Sequence, residues 1–338
     1  MRISGGIEKH GKRNYRVKVG FDSPDEAQRF IADQNKQAAD LLAVPPNVGA
    51  APDVWSAVAR YQEVYWQTDT ERDRATVPLP DDGPQLVIGS TDWHVGHQWC
   101  DMPRLRSDLE RAAQTPAVHL VLLGDLFNNV LTTSPRGAQF EELAPPRIQK
   151  MIVEQALSWV RGRVLAMCLG NHEARSLNDD DFDPTAYFAH KLGCVNFGSF
   201  GLLTVELGEQ RYNILAAHRF RMNSSFNKTH TGKRMLDFVA DADAVFTGHY
   251  HDPAAETTDV RQRSRFIAAG GTYEMRSRYG KSLGFPGGVA EMPGVLLFPG
   301  ERKMLGFRDA FTDGIHALWS YRRDFDCPCS YCRGPSSN

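Results

Sequence analysis

Apolar positions divide the chain into two parts that meet near Gln85. In the first part polar residues dominate. "YRVKVGF" alternates apolar and polar positions as a short strand does, and "SPDEAQRFIADQNKQAADLLA" carries its apolar residues at helical spacing. Ser23 stands where a cap would, Pro24 at the first helical position and acids in the first turn, so a helix is predicted there. "PPNVGAAP" reads as a linker, "DVWSAVARYQEVYWQ" as a second helix, and Thr68 to Pro84 as a polar, proline-rich join.

After Gln85, strand-length apolar runs alternate with amphipathic helices. "QLVIGSTDWH", "AVHLVLLGD" and "RVLAMCLGNH" are predicted buried strands, with "MPRLRSDLERAAQ" and "PPRIQKMIVEQALSWVRG" as helices between them. "PTAYFAHKLG" predicts a short helix ending at Gly193, and "GLLTVELGEQRYNILAAH" a hairpin turning at "LGEQ". "KRMLDFVADAD" is helical, "AVFTGHYH" is a strand, and the rest to about Trp319 is strand-rich. The mixture predicts an α/β fold in which sheets are sandwiched and flanked by helices. The expected organisation is a small basic α+β unit over 1–45 and a helix with linker over 46–84. A principal domain over 85–320 and a cysteine-containing tail over 321–338 complete it.

Composition narrows the classes. The 338 residues carry a net charge of −2, which argues against a surface that coats nucleic acid everywhere. "AVHLVLLG" and "AVFTG" are far shorter than the roughly 20 apolar residues of a membrane helix, so no membrane partner is expected. "MRISGGIEKHGKRNYRV" has no apolar signal core, and cytoplasmic residence is the expectation. Of six cysteines, Cys100, Cys168 and Cys194 are scattered like small core residues. Cys327, Cys329 and Cys332 crowd together and could ligate a structural zinc, although no fourth ligand stands beside them. An unliganded polar tail is the alternative.

The chemistry gathers at strand ends. Asp92 and His94 follow the first strand, Asp125 the second, and Asn171, His172 and Glu173 the third. His218 ends a later strand, and His249 and His251 another. In extended backbone, residues two apart point to one side, so each spaced pair could aim two ligands at one place. Glycines precede Asp125, Asn171 and His249, where they would let the backbone approach an ion. A lone histidine at a strand end is usually structural; this recurrence over five strands is not expected by chance. Carboxylates, imidazoles and an amide suit Mn²⁺, Fe²⁺ or Zn²⁺, where an all-oxygen set would suit Mg²⁺ or Ca²⁺.

The ordered motifs "DWH", "GD", "GNHE", "AAH" and "GHYH" resemble the calcineurin-like metallophosphoesterase superfamily over Asp92 to His251. That resemblance implies a two-sheet α/β/β/α sandwich and a dinuclear centre of divalent ions, Mn with Fe, Zn or Ni as alternatives. It implies that Asp92, His94 and His251 hold one ion, Asn171, His218 and His249 the other, and that Asp125 bridges them. His172 is implied as the acid beside the scissile phosphate, not as a ligand. Glu173 or Asp92 could orient it and raise its pKa.

The expected reaction is phosphodiester hydrolysis, by a nuclease or a nucleotide phosphodiesterase. Protein phosphatases of the family carry an arginine in GDxxDRG; here "GDLFNNVLTTSPRG" lacks it or displaces it to Arg136. "STDWHVGHQW" and "GDLF" are similar to the repair-exonuclease branch, which usually has GNHD where this chain has GNHE and often a histidine where Asn128 stands. Asn128, Arg219 and Arg221 are candidate substrate contacts. Arg219, Arg221, Lys228, Lys233 and Arg234 interleave with Phe220 and Phe226 as phosphate- and base-binding segments do, and a solvated loop is the alternative. Arg276, Arg278 and Lys281 add a second basic stretch, and Lys9, Lys12, Arg13, Arg16 and Lys18 a third. That third stretch is faintly similar to integrase arm domains that bind DNA, and a plain packing appendage is the alternative. A phosphodiester is therefore the expected substrate, with DNA, RNA and small nucleotides all open, phosphomonoesters the alternative and a non-catalytic binding module the remote one. Neither composition nor motifs give an oligomeric state.

Overall fold

The computed structural model describes residues 7–10, 14–17 and 54–325, apart from 133, 136, 222, 223, 225, 261, 262, 283, 285 and 286. Two compact units divide the chain, Met1–Thr70 and Glu71–Asn338. In the first, β1 (Ile7–His10) pairs antiparallel with β2 (Asn14–Val17), and α1 spans Val54–Thr68. The helix expected from Ser23, the linker "PPNVGAAP" and the cysteines at 327, 329 and 332 lie outside the described residues.

The second unit contains β3 (Arg74–Pro78), β4 (Gln85–Ser90), β5 (Val118–Leu122), β6 (Val164–Met167), β7 (Val195–Asn196) and β8 (Phe200–Leu207). It continues with β9 (Gln210–Ala217), β10 (Ala244–Thr247), β11 (Ala254–Val260), β12 (Arg263–Ala269), β13 (Gly294–Leu297) and β14 (Met304–Phe307). Its helices are α2 (Met102–Gln114), α3 (Pro146–Trp159), α4 (Glu173–Asp180), α5 (Pro184–Leu192), α6 (His230–Phe238), α7 (Arg278–Ser282) and α8 (Ile315–Phe325). One six-stranded sheet has the order β14-β13-β4-β5-β6-β7, and the other β11-β12-β10-β9-β8-β3. Strands β4 to β7 run parallel, as do β9, β10 and β12.

Period-two alternation makes the layers. On β5, Leu120 and Leu122 pack beneath the helices, against Leu105 and Leu109 of α2 and Val153 and Leu157 of α3. Val121 and Leu123 face the other way, into a core shared with Ile214, Phe246 and Phe266 of the second sheet. Leu215 and Val245 then face Met235 and Leu236 of α6. The result is the expected α/β/β/α sandwich. Strands buried on both faces read as unbroken apolar runs, which is why β4, β5 and β6 were plain in the sequence.

Two elements differ from expectation. The join from Thr68 to Pro84 contains β3, which pairs parallel with β8 from Arg74↔Leu202 to Pro78↔Glu206. It is an edge strand whose Ala75 and Val77 alone point inward, too short an apolar signal to separate from a linker. The segment after Asn171 and His172 forms α4, whose helical pattern is hidden because polar residues fill it.

Candidate metal centre at the strand ends

The loops after β4, β5, β6, β9 and β10 converge. The N–H of Asp92 donates to the Gly124 carbonyl at 3.0 Å, that of His94 to the Asp125 carbonyl at 3.1 Å, and that of Gly248 to the His218 carbonyl at 2.9 Å. The extended geometry expected of the spaced pairs is not what aims them. Asp92, His94, Asp125, His249 and His251 all adopt left-handed backbone, with φ from 48° to 77°. That conformation costs a non-glycine residue about 1–2 kcal/mol, and such strain gathers where function fixes geometry. The motif glycines serve neighbouring loops. A Cβ on Gly170 would stand 2.1 Å from the Asp125 nitrogen, and one on Gly248 2.1 Å from Thr91 Oγ1.

Each aspartate is anchored to the loops through one oxygen and turns the other to histidine nitrogens. Asp92 Oδ2 accepts from Thr91 Oγ1 at 2.6 Å and from the His249 N–H at 2.8 Å. Its Oδ1 lies 3.1 Å from His251 Nε2 and 3.6 Å from His94 Nε2. Asp125 Oδ1 accepts the His172 N–H at 2.8 Å. Its Oδ2 faces His218 Nε2 at 3.2 Å and His94 Nε2 at 4.0 Å. Three groups of ligand-type atoms follow: Asp92, His94 and His251; Asp125, His218 and His249; and His94, Asp125 and His172.

The donor set fits divalent cations. His218 Nδ1–H donates to the Leu123 carbonyl at 2.9 Å, which leaves the Nε2 lone pair facing Asp125 Oδ2 and, at 2.9 Å, Asn171 Oδ1. Asp125 Oδ2 and Asn171 Oδ1 thus converge on His218 Nε2, a cluster that either a proton on that nitrogen or a divalent cation can satisfy. Protons are the competing occupants. Burial pulls His94 down, but the Asp92 hydrogen bond, Glu274 and Asp125 override it and push the imidazole up to about 10. His218, likewise buried, is carried up to about 9 by Asp125. Burial works against ionised Asp92 too, yet His251 and His94 hold it well below the usual carboxylate range. His249 goes the other way, down to about 4, through burial and the charge of His218. Metal binding at such a site is coupled to proton release.

His172 differs from expectation. Its Nδ1 is 2.5 Å from the Asn128 carbonyl, so that nitrogen carries the proton, and Nε2 accepts from Arg175 at 2.9 Å. Glu173 does not touch the ring; its oxygens accept the backbone N–H groups of Asp125 at 2.8 Å and Leu126 at 2.6 Å. Asp92 faces His251 and His94 instead. Burial lowers the His172 pKa well below the ordinary value, and Asp125 does not compensate, so the expected rise is overturned. Asn128, expected at the substrate, is committed elsewhere: its Oδ1 meets His94 Nδ1 at 3.0 Å and its amide donates to Glu142.

Arg219 and Arg221 are exposed, with the Arg221 guanidinium over the rings of Phe238 at 4.8 Å and Phe220 at 5.8 Å. Arg136 lies outside the described residues. Sequence reasoning missed Arg175, which also donates to the Asn128 carbonyl at 2.8 Å, and Glu274, whose Oε2 lies 3.8 Å from His94 Nδ1 and 3.9 Å from His251 Nδ1. The one available signal for Arg175 was its place one helical turn past His172.

Strand-end Asp and His clusters at the edges of two mixed sheets form a site able to hold divalent cations. Residues 86–253 match the calcineurin-like phosphoesterase family, so the chain carries a calcineurin-like phosphoesterase domain, the domain of metal-dependent hydrolases of phosphoric esters. No curated protein matches the chain. Among solved structures, calcineurin-like phosphoesterase YfkN from Bacillus subtilis is 10% identical, covering 75% of this chain and 99% of its own, with a TM-score of 0.37. A metallophosphoesterase from Sphaerobacter thermophilus is 14% identical over 73% of this chain and 97% of its own, with a TM-score of 0.34. Nuclease MPE of Pseudomonas putida is 14% identical over 65% of this chain and 87% of its own, with a TM-score of 0.31. Among the described residues no helix is long and apolar enough to cross a membrane.

Proposed function

We propose that the chain hydrolyses phosphodiesters with two divalent ions, Mn²⁺ being our choice over Fe²⁺, Zn²⁺ and Ni²⁺. Asp92, His94 and His251 would hold one ion and Asn171, His218 and His249 the other. The observation that carries this reading is Asp125 Oδ2, which faces His218 at 3.2 Å and His94 at 4.0 Å and so stands between the two groups. Paired ions of this kind polarise phosphoryl oxygen and activate water for in-line displacement.

The protein's own part is binding, orientation and proton handling. His172 and Arg175 form one hydrogen-bonded pair beside Asp125, with His172 Nε2 3.8 Å from Asp125 Oδ2. As substrate arrives, the guanidinium can turn from the imidazole to an anionic oxygen; His172 Nε2, freed from it and facing the phosphate's negative charge, takes up a proton from solvent and passes it to the leaving oxygen.

A diester is favoured over a monoester because the arginine of GDxxDRG is missing from "GDLFNN" and Asn128 is occupied by His94 and Glu142. Membership of the repair-exonuclease branch, action on DNA or RNA and a cytoplasmic site belong to the same proposal. One feature favours the phosphomonoesterase reading: Arg175 is a cation within reach of His172. Turnover of bis(p-nitrophenyl) phosphate against p-nitrophenyl phosphate, with Mn²⁺, decides between them. Faster cleavage of the diester is expected, and faster cleavage of the monoester would replace this reading by the alternative.

A further inference from the structure

Three loops beside the centre pack backbone to backbone and leave two aromatic side chains in solvent. The Gln98 N–H donates to the Glu141 carbonyl at 2.8 Å, Leu143 to Gly96 at 2.8 Å, and Met275 to Trp99 at 2.9 Å. On this rim Trp99 is 46% exposed and Phe140 72%. Large aromatic rings normally go to the core, where they bury most of their area. Here the backbone is tightly paired while the rings stay out.

The rim is tied to the metal ligands. Trp99 precedes Cys100, which bridges Glu274, and the Glu274 carboxylate is 3.8 Å from His94 and 3.9 Å from His251. It is also cationic. The Arg276 guanidinium lies 5.4 Å from the Trp99 ring centre, and exposed Arg278 stands nearby with its Nε 3.7 Å from Glu141. Aromatic faces and guanidinium planes both stack nucleobases, and the same arginine can meet a backbone phosphate.

We infer that Trp99 and Arg276 form a stacking subsite for the nucleotide flanking the scissile phosphate, so that the ester is one of single-stranded nucleic acid. A base lies against Trp99 or its arginine, and Arg276 and Arg278 meet the adjoining phosphates. A paired base in a duplex hides its faces, which selects for single strands or unpaired ends. The inference rests on the phosphodiesterase reading, since it takes the ester to be part of a polynucleotide.

Fluorescence anisotropy with labelled oligodeoxythymidylate and an abasic oligomer of the same phosphate count tests it. Both oligomers carry phosphorothioate linkages, so that the Mn²⁺-loaded protein binds them without cleaving them. The wild-type protein should bind the base-bearing strand about 5–160-fold more tightly, the range that 1–3 kcal/mol of stacking for one base gives. Trp99→Ala should lose most of that preference, and Trp99→Phe should keep most of it. Arg276→Ala should weaken both strands and flatten the salt dependence by about 0.7 in log–log slope. Equal wild-type affinity for the two strands, or an unchanged preference in Trp99→Ala, would overturn the subsite. Bis(p-nitrophenyl) phosphate turnover by the wild type with Mn²⁺, run in parallel, reports separately on the phosphodiesterase reading.

Discussion

His94 and His119 are both buried in the same half of the sandwich, one just past the end of β4 and the other inside β5. His94 meets Asp92, Asp125 and Glu274 and is pushed up to about 10 against its burial. His119 meets the Gln85 amide oxygen at 2.9 Å, has no partner for Nδ1, and is pushed down to about 4 by burial and then by Arg163. Residue type and burial are nearly equal, so the neighbours alone set the difference. Carboxylates collected at the carboxyl ends of the strands make a cation site. An amide at the opposite end makes a packed, neutral histidine.

The sharpest way to break this contrast is to replace each histidine by glutamine. His94→Gln should abolish Mn²⁺-dependent turnover, whereas His119→Gln should leave it unchanged; equal losses in steady-state assays would remove the contrast. His172→Gln should lower kcat by about 10²–10⁴-fold, the contribution of general acid catalysis, with bound metal unaltered. A substrate with a very good leaving group should suffer least, and an equal loss on good and poor leaving groups would end the acid role. Glu274→Gln should weaken metal binding or activity by about 10–100-fold, as outer carboxylates on ligating histidines do. Titration of Mn²⁺ into that variant checks it.

The smallest effect is in stability and comes from His119. Its folded pKa lies below the unfolded value, so its contribution is complete above about pH 6.5 and is lost as pH falls towards about 4. Over that window it amounts to at most about 3 kcal/mol. Denaturant melts of His119→Gln should show a flatter dependence between those limits than the wild type.

What could be read in the sequence follows from the same physics. Asp92, Asp125, Asn171, His218 and His249 each end an apolar run, because parallel strands buried on both faces deliver their next residues to one edge. The structure does bring these residues together. Glu274 was not legible, because it arrives on a loop far along the chain and only folding places it beside His94, whereas Arg175 sits one turn past His172 on a helix that its polar residues concealed. The orientation of His172 was misread for a related reason. Adjacency in "NHE" suggested a carboxylate partner, but α4 turns Glu173 back to the Asp125 and Leu126 amides. β3 was hidden as an edge strand with two inward residues.

Metal stoichiometry tests whether two ions are joined through Asp125. Wild-type and Asp125→Asn proteins would be equilibrated with Mn²⁺, freed of loose metal and measured by elemental analysis, with circular dichroism to verify the fold. Two ions per wild-type chain are expected, with loss of at least one from folded Asp125→Asn. Two tightly held ions in Asp125→Asn, or a single ion in the wild type at saturating Mn²⁺, would contradict the bridged pair.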